Sequence, residues 1–154
     1  MLYIEALRFE VVHGFSLFLA GGITGCPDWQ KELVKKLEKL DITIFNPRRK
    51  KFPIDNPSES LKQIRWEHEH LRKASAISFW FPCETICPIV LYELGAWSMM
   101  DKKLFVGVHP DYSRKQDVEI QTKFVRPDIK IVYDIPALAA QITKWFNPEN
   151  LTKS

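Results

Sequence analysis

Along the chain, short runs of consecutive apolar residues alternate with longer stretches in which apolar residues return every three or four positions. Ser-Leu-Phe-Leu-Ala (16–20), Ile-Thr-Ile-Phe (42–45), Ala-Ile-Ser-Phe-Trp-Phe (76–81), Leu-Phe-Val-Gly-Val (104–108) and Ile-Lys-Ile-Val-Tyr (129–133) read as short strands. After the first of them Pro27 opens a helix with Trp29, Leu33, Leu37 and Leu40 on one stripe, opposed by Lys31, Lys35, Lys36 and Lys39. A second helix is predicted over residues 60–73, where Ser60 and Gln63 fit a capping box. Its Gln63, Glu67 and His70 are expected on one side, with Ile64, Leu71 and Ala74 facing inward. Further helices are predicted over 88–100, near 115–124 and over 136–146. Residues 2–12 form an extended leader suited to the edge of a sheet, and 147–154 a loose tail.

Five such strands alternating with five helices predict an open, doubly wound α/β fold of the flavodoxin/Rossmann-like kind. Its five-stranded parallel sheet carries helices on both faces, because parallel neighbours need crossover connections. One domain over 1–154, with a strand extension at 1–15, accounts for the whole pattern. Ligands of such sheets bind beyond the carboxyl ends of the strands. That rule points to four loops, at 21–25, 46–52, 82–87 and 109–112.

One segment stands apart from the alternation. Pro88-Ile-Val-Leu-Tyr-Glu93-Leu-Gly-Ala-Trp-Ser-Met-Met100 carries a single charge. Apolar on nearly every side, this helix is expected to be buried, taking Glu93 with it. A carboxylate out of water is held by a cation, surrounded by donors, or pushed up in pKa. Glu93 therefore has either a structural partner or a chemical use, and position alone leaves both open.

Composition narrows the function classes. The 154 residues are 45% hydrophobic and 27% charged, as in ordinary globular chains. A net charge of +3 permits an anionic ligand without pointing to nucleic acid. No apolar stretch reaches the roughly 20 residues that span a bilayer. Glu5, Arg8 and Glu10 interrupt the run that a secretory signal needs. The three cysteines, Cys26, Cys83 and Cys87, lack the spacing of a disulfide framework and are expected to be reduced thiols in a cytoplasmic protein.

Candidate chemistry outside Glu93 is sparse. Gly21-Gly-Ile-Thr-Gly25 is a plain strand-to-helix turn or a place where a ligand approaches backbone N–H groups; it matches neither a dinucleotide fingerprint nor a P-loop. Asn46-Pro-Arg48-Arg49 is a candidate for contact with an anion or base. His68 and His70 lie two apart on a helix and face different sides, so no metal site is expected. Cys87, before Pro88 at a helix start, is a candidate thiolate or a thiol lining a ligand.

Several blocks taken in order are more specific than any one of them. Phe18-Leu-Ala-Gly-Gly-Ile, Asp28-Trp-Gln, Asn46-Pro-Arg-Arg, Gln63-Ile-x-Trp-Glu67, Phe79-Trp-Phe-Pro-x-Glu-Thr, Cys87-Pro-Ile and Leu91-Tyr-Glu-Leu-Gly95 resemble the nucleoside 2-deoxyribosyltransferase family, in its branch with a long N-terminal strand. The likeness runs from about residue 16 to 135. It implies an enzyme that cleaves the N-glycosidic bond of a 2′-deoxynucleoside and passes the sugar to a free nucleobase, without a cofactor or metal. By the same resemblance Glu93 attacks C1′, Glu67 (or failing it Glu69) assists, and Gly21 and Gly22 line the sugar site. Asn46, Arg48, Cys87, Trp80 and Tyr92 are the further substrate-binding candidates, and a homo-oligomer is implied. Family transferases often carry Asp six residues before the nucleophile, where this chain has Cys87. A 5′-monophosphate N-glycosidase therefore stays open as an alternative, as does a non-catalytic nucleotide-binding module.

Overall fold

The computed structural model describes residues 1–49 and 56–147. Its strands are β1 (Leu2–Glu5), β2 (Ser16–Gly21), β3 (Thr43–Asn46), β4 (Ala76–Phe81) and β5 (Lys103–Val108). They form one sheet in the order β1-β3-β2-β4-β5, with every pair parallel. The helices are α1 (Trp29–Lys36), α2 (Pro57–Lys73), α3 (Pro88–Ser98), α4 (Lys115–Val125) and α5 (Ile135–Trp145). Every residue of β2 and β4 is buried. That is the mark of parallel strands covered on both sides.

The two cores lie on opposite faces of the sheet. Trp66 and Leu71 of α2, Val90 and Leu94 of α3 and Val118 of α4 pack together on one. Trp29 and Leu33 of α1 and Leu138, Ala139 and Ile142 of α5 pack on the other. The chain runs from β2 to β3 on one side and then returns to place β4 on the other side of β2. This reversal opens a crevice at the carboxyl end of β2.

The sheet differs from the expected one at its edges. Residues 129–133 make a single bridge, Gly107 to Val132, instead of a strand. The fifth strand is supplied by the leader, whose Leu2 to Glu5 pair with Thr43 to Asn46. The reason is local: Asp134 already caps α5, accepting from Ala137 N at 2.7 Å, so the chain has turned into a helix before a second pairing can form.

Helix α2 also starts earlier than the capping box suggests. Asn56 is its N-cap, accepting from Ser58 N at 3.1 Å, and Pro57 follows in the first turn, a stronger start than Ser60. Of the residues expected to face inward, Leu71 and Ala74 are buried in the core and Ile64 is not. Ile64 is 61% exposed, whereas Gln63, Trp66 and His70 are buried. His70 is accommodated by a 2.7 Å hydrogen bond to Trp66 O and by stacking on the Trp66 ring at 4.0 Å, and burial lowers its pKa.

Trp66 is fully buried, and its Nε1 donates to Arg8 O at 2.7 Å, pinning the leader to α2. Trp66→Ala is expected to cost about 3–5 kcal/mol, through the cavity and the lost anchor, as read by denaturant unfolding. A loss near 1 kcal/mol would contradict this reading of the core.

Helix α3 buries only Val90, Leu94 and Ser98. Ile89, Tyr92, Met99 and Met100 are exposed, so the expectation of a wholly buried helix is corrected. A helix lying on one sheet face has one inward stripe whatever its composition. None of the helices among the described residues is long and apolar enough to cross a membrane. The loose tail expected from 147 onward lies, beyond its first residue, outside the described residues, as do residues 50–52 of the second candidate loop.

Candidate active site

The crevice at the end of β2 is a cleft of about 460 Å³. Its floor is Phe18, Ala20 and Gly21, and Gly22 to Thr24 form one wall. Pro47 and Arg49 after β3, Gln63 and Glu67 of α2, and Thr85 to Val90 with Glu93 around the head of α3 supply the rest, Ile86 excepted. Three of the four loops selected by strand order therefore meet here. The fourth acts from behind: Tyr112 packs on Phe81 and donates its hydroxyl to Ile86 O at 2.6 Å, fixing the loop after β4.

The turn after β2 needs its glycines because neighbours leave no room for a side chain. A Cβ on Gly21 would press on the Trp29 ring and lie 2.6 Å from Trp80 O. A Cβ on Gly22 would lie 2.7 Å from Pro82 Cγ and 3.0 Å from Cys87 Sγ. The Gly22 carbonyl is in turn held by Trp29 Nε1 at 2.8 Å and Gln30 Nε2 at 3.3 Å. Gly22→Ala is expected to push this wall into the cleft. The predicted loss is about 1–3 kcal/mol of stability with weakened ligand binding in the cleft, checked by thermal unfolding and titration calorimetry. A variant unchanged in both would show that the loop is not tightly packed.

Two carboxylates face the cleft, Glu67 from α2 and Glu93 from α3. Among the described residues Glu93 forms no hydrogen bond and no ion pair. Burial pushes its pKa up to about 8, and the nearby Glu67 adds to the rise. Glu67 is also raised by burial, but Gln63 Nε2 donates to its Oε1 at 2.7 Å and offsets part of the effect by favouring the ionised form. Two like carboxylates sharing a poorly solvated cleft hold on to one proton between them near neutrality. Among the described residues, Glu93 is the member with no donor to favour its ionised form. A cleft floor that is hydrocarbon, with an acid and a potential nucleophile on adjoining walls, suits chemistry at a carbon that becomes electron-poor.

Residues 14–112, well over half of the chain, match the model of the family described as "Nucleoside 2-deoxyribosyltransferase like". The chain belongs to this family. No curated protein sequence matches it.

In this nucleoside 2-deoxyribosyltransferase-like protein the substrate-binding candidates are distributed unevenly. Gly21, Gly22 and Cys87 line the cleft with Glu67 and Glu93. The Cys87 thiol is buried and pushed up to about 11 by that burial, which opposes a thiolate at the helix start. Asn46 is not in the lining; its Nδ2 donates to the Tyr3 hydroxyl at 2.7 Å and its Oδ1 accepts from Arg48 N at 3.0 Å, joining β1 to the loop after β3. Arg48 turns back into the glycine turn, giving Nε to Gln30 Oε1 at 2.9 Å and NH2 to Pro27 O at 3.1 Å. It therefore braces that turn, while its neighbour Arg49 reaches the cleft and pairs with Glu59 at 3.2 Å.

Trp80 is buried on the opposite face of the sheet, beside α1 and α5. Tyr92 is 76% exposed on the outer side of α3. Glu69 lies outside the cleft, 3.9 Å from Lys73. The lining residues that sequence reasoning selected neither singly nor by loop include Phe18, Gln63 and Ile89. For Gln63 a signal was present, since it sits one helical turn before Glu67.

Proposed function

We propose that the protein transfers a 2-deoxyribosyl group between nucleobases, with Glu93 as nucleophile and Glu67 as general acid and base. The observation that carries this reading is the pair of carboxylates, neither ion-paired among the described residues, facing one largely apolar cleft. A Glu93 carboxylate oxygen bonds to C1′ as the C1′–N bond breaks, and the electron pair of that bond goes to the base nitrogen. Glu67 gives that nitrogen its proton. The incoming base then attacks C1′, the ester bond breaks, Glu93 is released as carboxylate, and Glu67 takes the proton back. Two inversions at C1′ give net retention. A sugar without a 2′-hydroxyl develops the required positive charge readily, and an apolar floor keeps water from the ester.

Incubation with a 2′-deoxynucleoside and a different free base, followed by chromatography, is expected to yield the exchanged nucleoside. Release of free deoxyribose without exchange would assign hydrolysis instead. Binding without any product, in wild type and Glu93→Ala alike, would assign a nucleotide-binding module.

Arg49 on the cleft wall favours one second reading, hydrolysis of a 5′-monophosphate. It predicts a preference for the phosphorylated substrate that Arg49→Gln removes and Arg48→Gln, acting through the glycine turn, does not selectively remove. The family resemblance further implies a homo-oligomer, and the apolar outer side of α3, with Ile89 and Tyr92 at 64% and 76% exposure beside the cleft, supports one. Sedimentation at micromolar concentration is expected to show a multiple of the 18.0 kDa chain, and a monomer would contradict it.

A further inference from the structure

Gln63 is 8% exposed and its amide is fully committed on the nitrogen side. Nε2 donates to Pro47 O at 2.8 Å and to Glu67 Oε1 at 2.7 Å. Oε1, by contrast, is buried without a hydrogen-bond partner among the described residues. An orphaned buried acceptor is uncommon and calls for a reason. Turning the amide over would set its oxygen against the Pro47 carbonyl, two acceptors in contact, so the observed orientation is locked by the backbone. The amide can therefore only donate to Glu67, whichever protonation state that carboxyl is in.

We infer that Gln63 is a positioning residue: it occupies Glu67 Oε1 with a donor that cannot be reversed, so that the exchangeable proton of the acid is confined to Oε2. The inference rests on the reading of Glu67 as general acid. It adds a geometric requirement to that reading, because proton transfer to a departing base depends on which oxygen carries the hydrogen and where it points. A glutamine with both donors spent has none left for substrate, and its role is exerted through the carboxyl it holds. The charged and titratable groups around that carboxyl are Glu93 from α3, Cys87 at its head and Arg49 from the loop after β3, itself paired with Glu59. Of these Glu93 also bears a raised carboxyl, and the Gln63 bond favours ionisation of Glu67 while Glu93 has no such donor among the described residues.

The test follows the titration of Glu67 in protein labelled with 13C at the glutamate carboxyls, in wild type and in Gln63→Met, which keeps the volume and removes the donor. The expected result is a shift of the Glu67 titration to higher pH in the variant, since a bond favouring the ionised form is lost. The acid limb of kcat/KM for base exchange should move with it, with kcat lowered and KM nearly unchanged. A Glu67 titration that stays in place in a folded Gln63→Met protein overturns the proposal.

Should that variant fail to fold, the wild-type side-chain amide of Gln63, labelled with 15N, gives the same information. Its resonances should move across the Glu67 titration, and indifference to it overturns the proposal equally. Neither spectroscopic readout needs turnover, so absence of exchange in the wild type would strike the transferase reading alone.

Discussion

Glu93→Gln is expected to lower base exchange by about 10⁴-fold or more, the scale on which loss of a nucleophile is felt in enzymes that form a covalent intermediate. The same change should make the protein more stable above neutral pH. Glu93 titrates near 8 in the folded chain, against 4.5 when unfolded. Between those values the folded state keeps a proton that the unfolded state has released, so stability falls as pH rises from about 4.5 to 8. The loss is on the order of 2–4 kcal/mol for a group largely out of water. Glutamine cannot ionise, and its stability curve should be flatter by that amount over the same window. Thermal unfolding between pH 5 and 9, set beside exchange assays, reads both effects. A variant that loses activity only because it unfolds would give Glu93 a structural role.

Glu67→Gln is expected to reduce exchange by about 10²–10⁴-fold, the usual contribution of a positioned general acid. Its diagnostic effect is on the pH profile. In the wild type the reactive arrangement, Glu93 ionised and Glu67 protonated, carries one proton on the pair. The profile of kcat/KM should therefore be bell-shaped, falling above about 8 when the pair loses its last proton and falling in acid when it gains a second. With Glu67 replaced by glutamine, the neighbour that helps raise Glu93 no longer ionises, so Glu93 titrates at lower pH. The low residual rate should then climb to that value and level off, with no alkaline fall from the pair. A Glu67→Gln profile of wild-type shape would place the second proton donor elsewhere.

Much of the fold was legible because buried parallel strands read as continuous apolar runs, as residues 76–81 do. The edges were not. Residues 2–5 and 129–133 carry similar patterns, and only the register of Leu2 against Thr43, more than forty residues away, and the capping of α5 by Asp134 decide which becomes a strand. Helix α3 shows the limit of hydropathy, since an apolar sequence does not reveal that Tyr92 and Met99 stay outside.

The site was legible in its acids and glycines and less so in its basic loop. Arg48 and Arg49 are adjacent and alike in sequence. They part because Gln30 and the Pro27 carbonyl draw the first back into the glycine turn, whereas Glu59 of α2 holds the second at the cleft. The approach of Glu67 to Glu93 is a tertiary fact that helical periodicity does not contain. So is the inward turn of His70, which depends on the Trp66 ring and carbonyl.

The most direct measurement is intact-protein and peptide mass spectrometry after brief exposure to a 2′-deoxynucleoside with no acceptor base present. The account predicts one 2-deoxyribosyl adduct per chain, mapped to the peptide containing Glu93, absent from Glu93→Gln and discharged when a free base is added. An adduct on another residue, or base exchange that proceeds undiminished in Glu93→Gln, would contradict it.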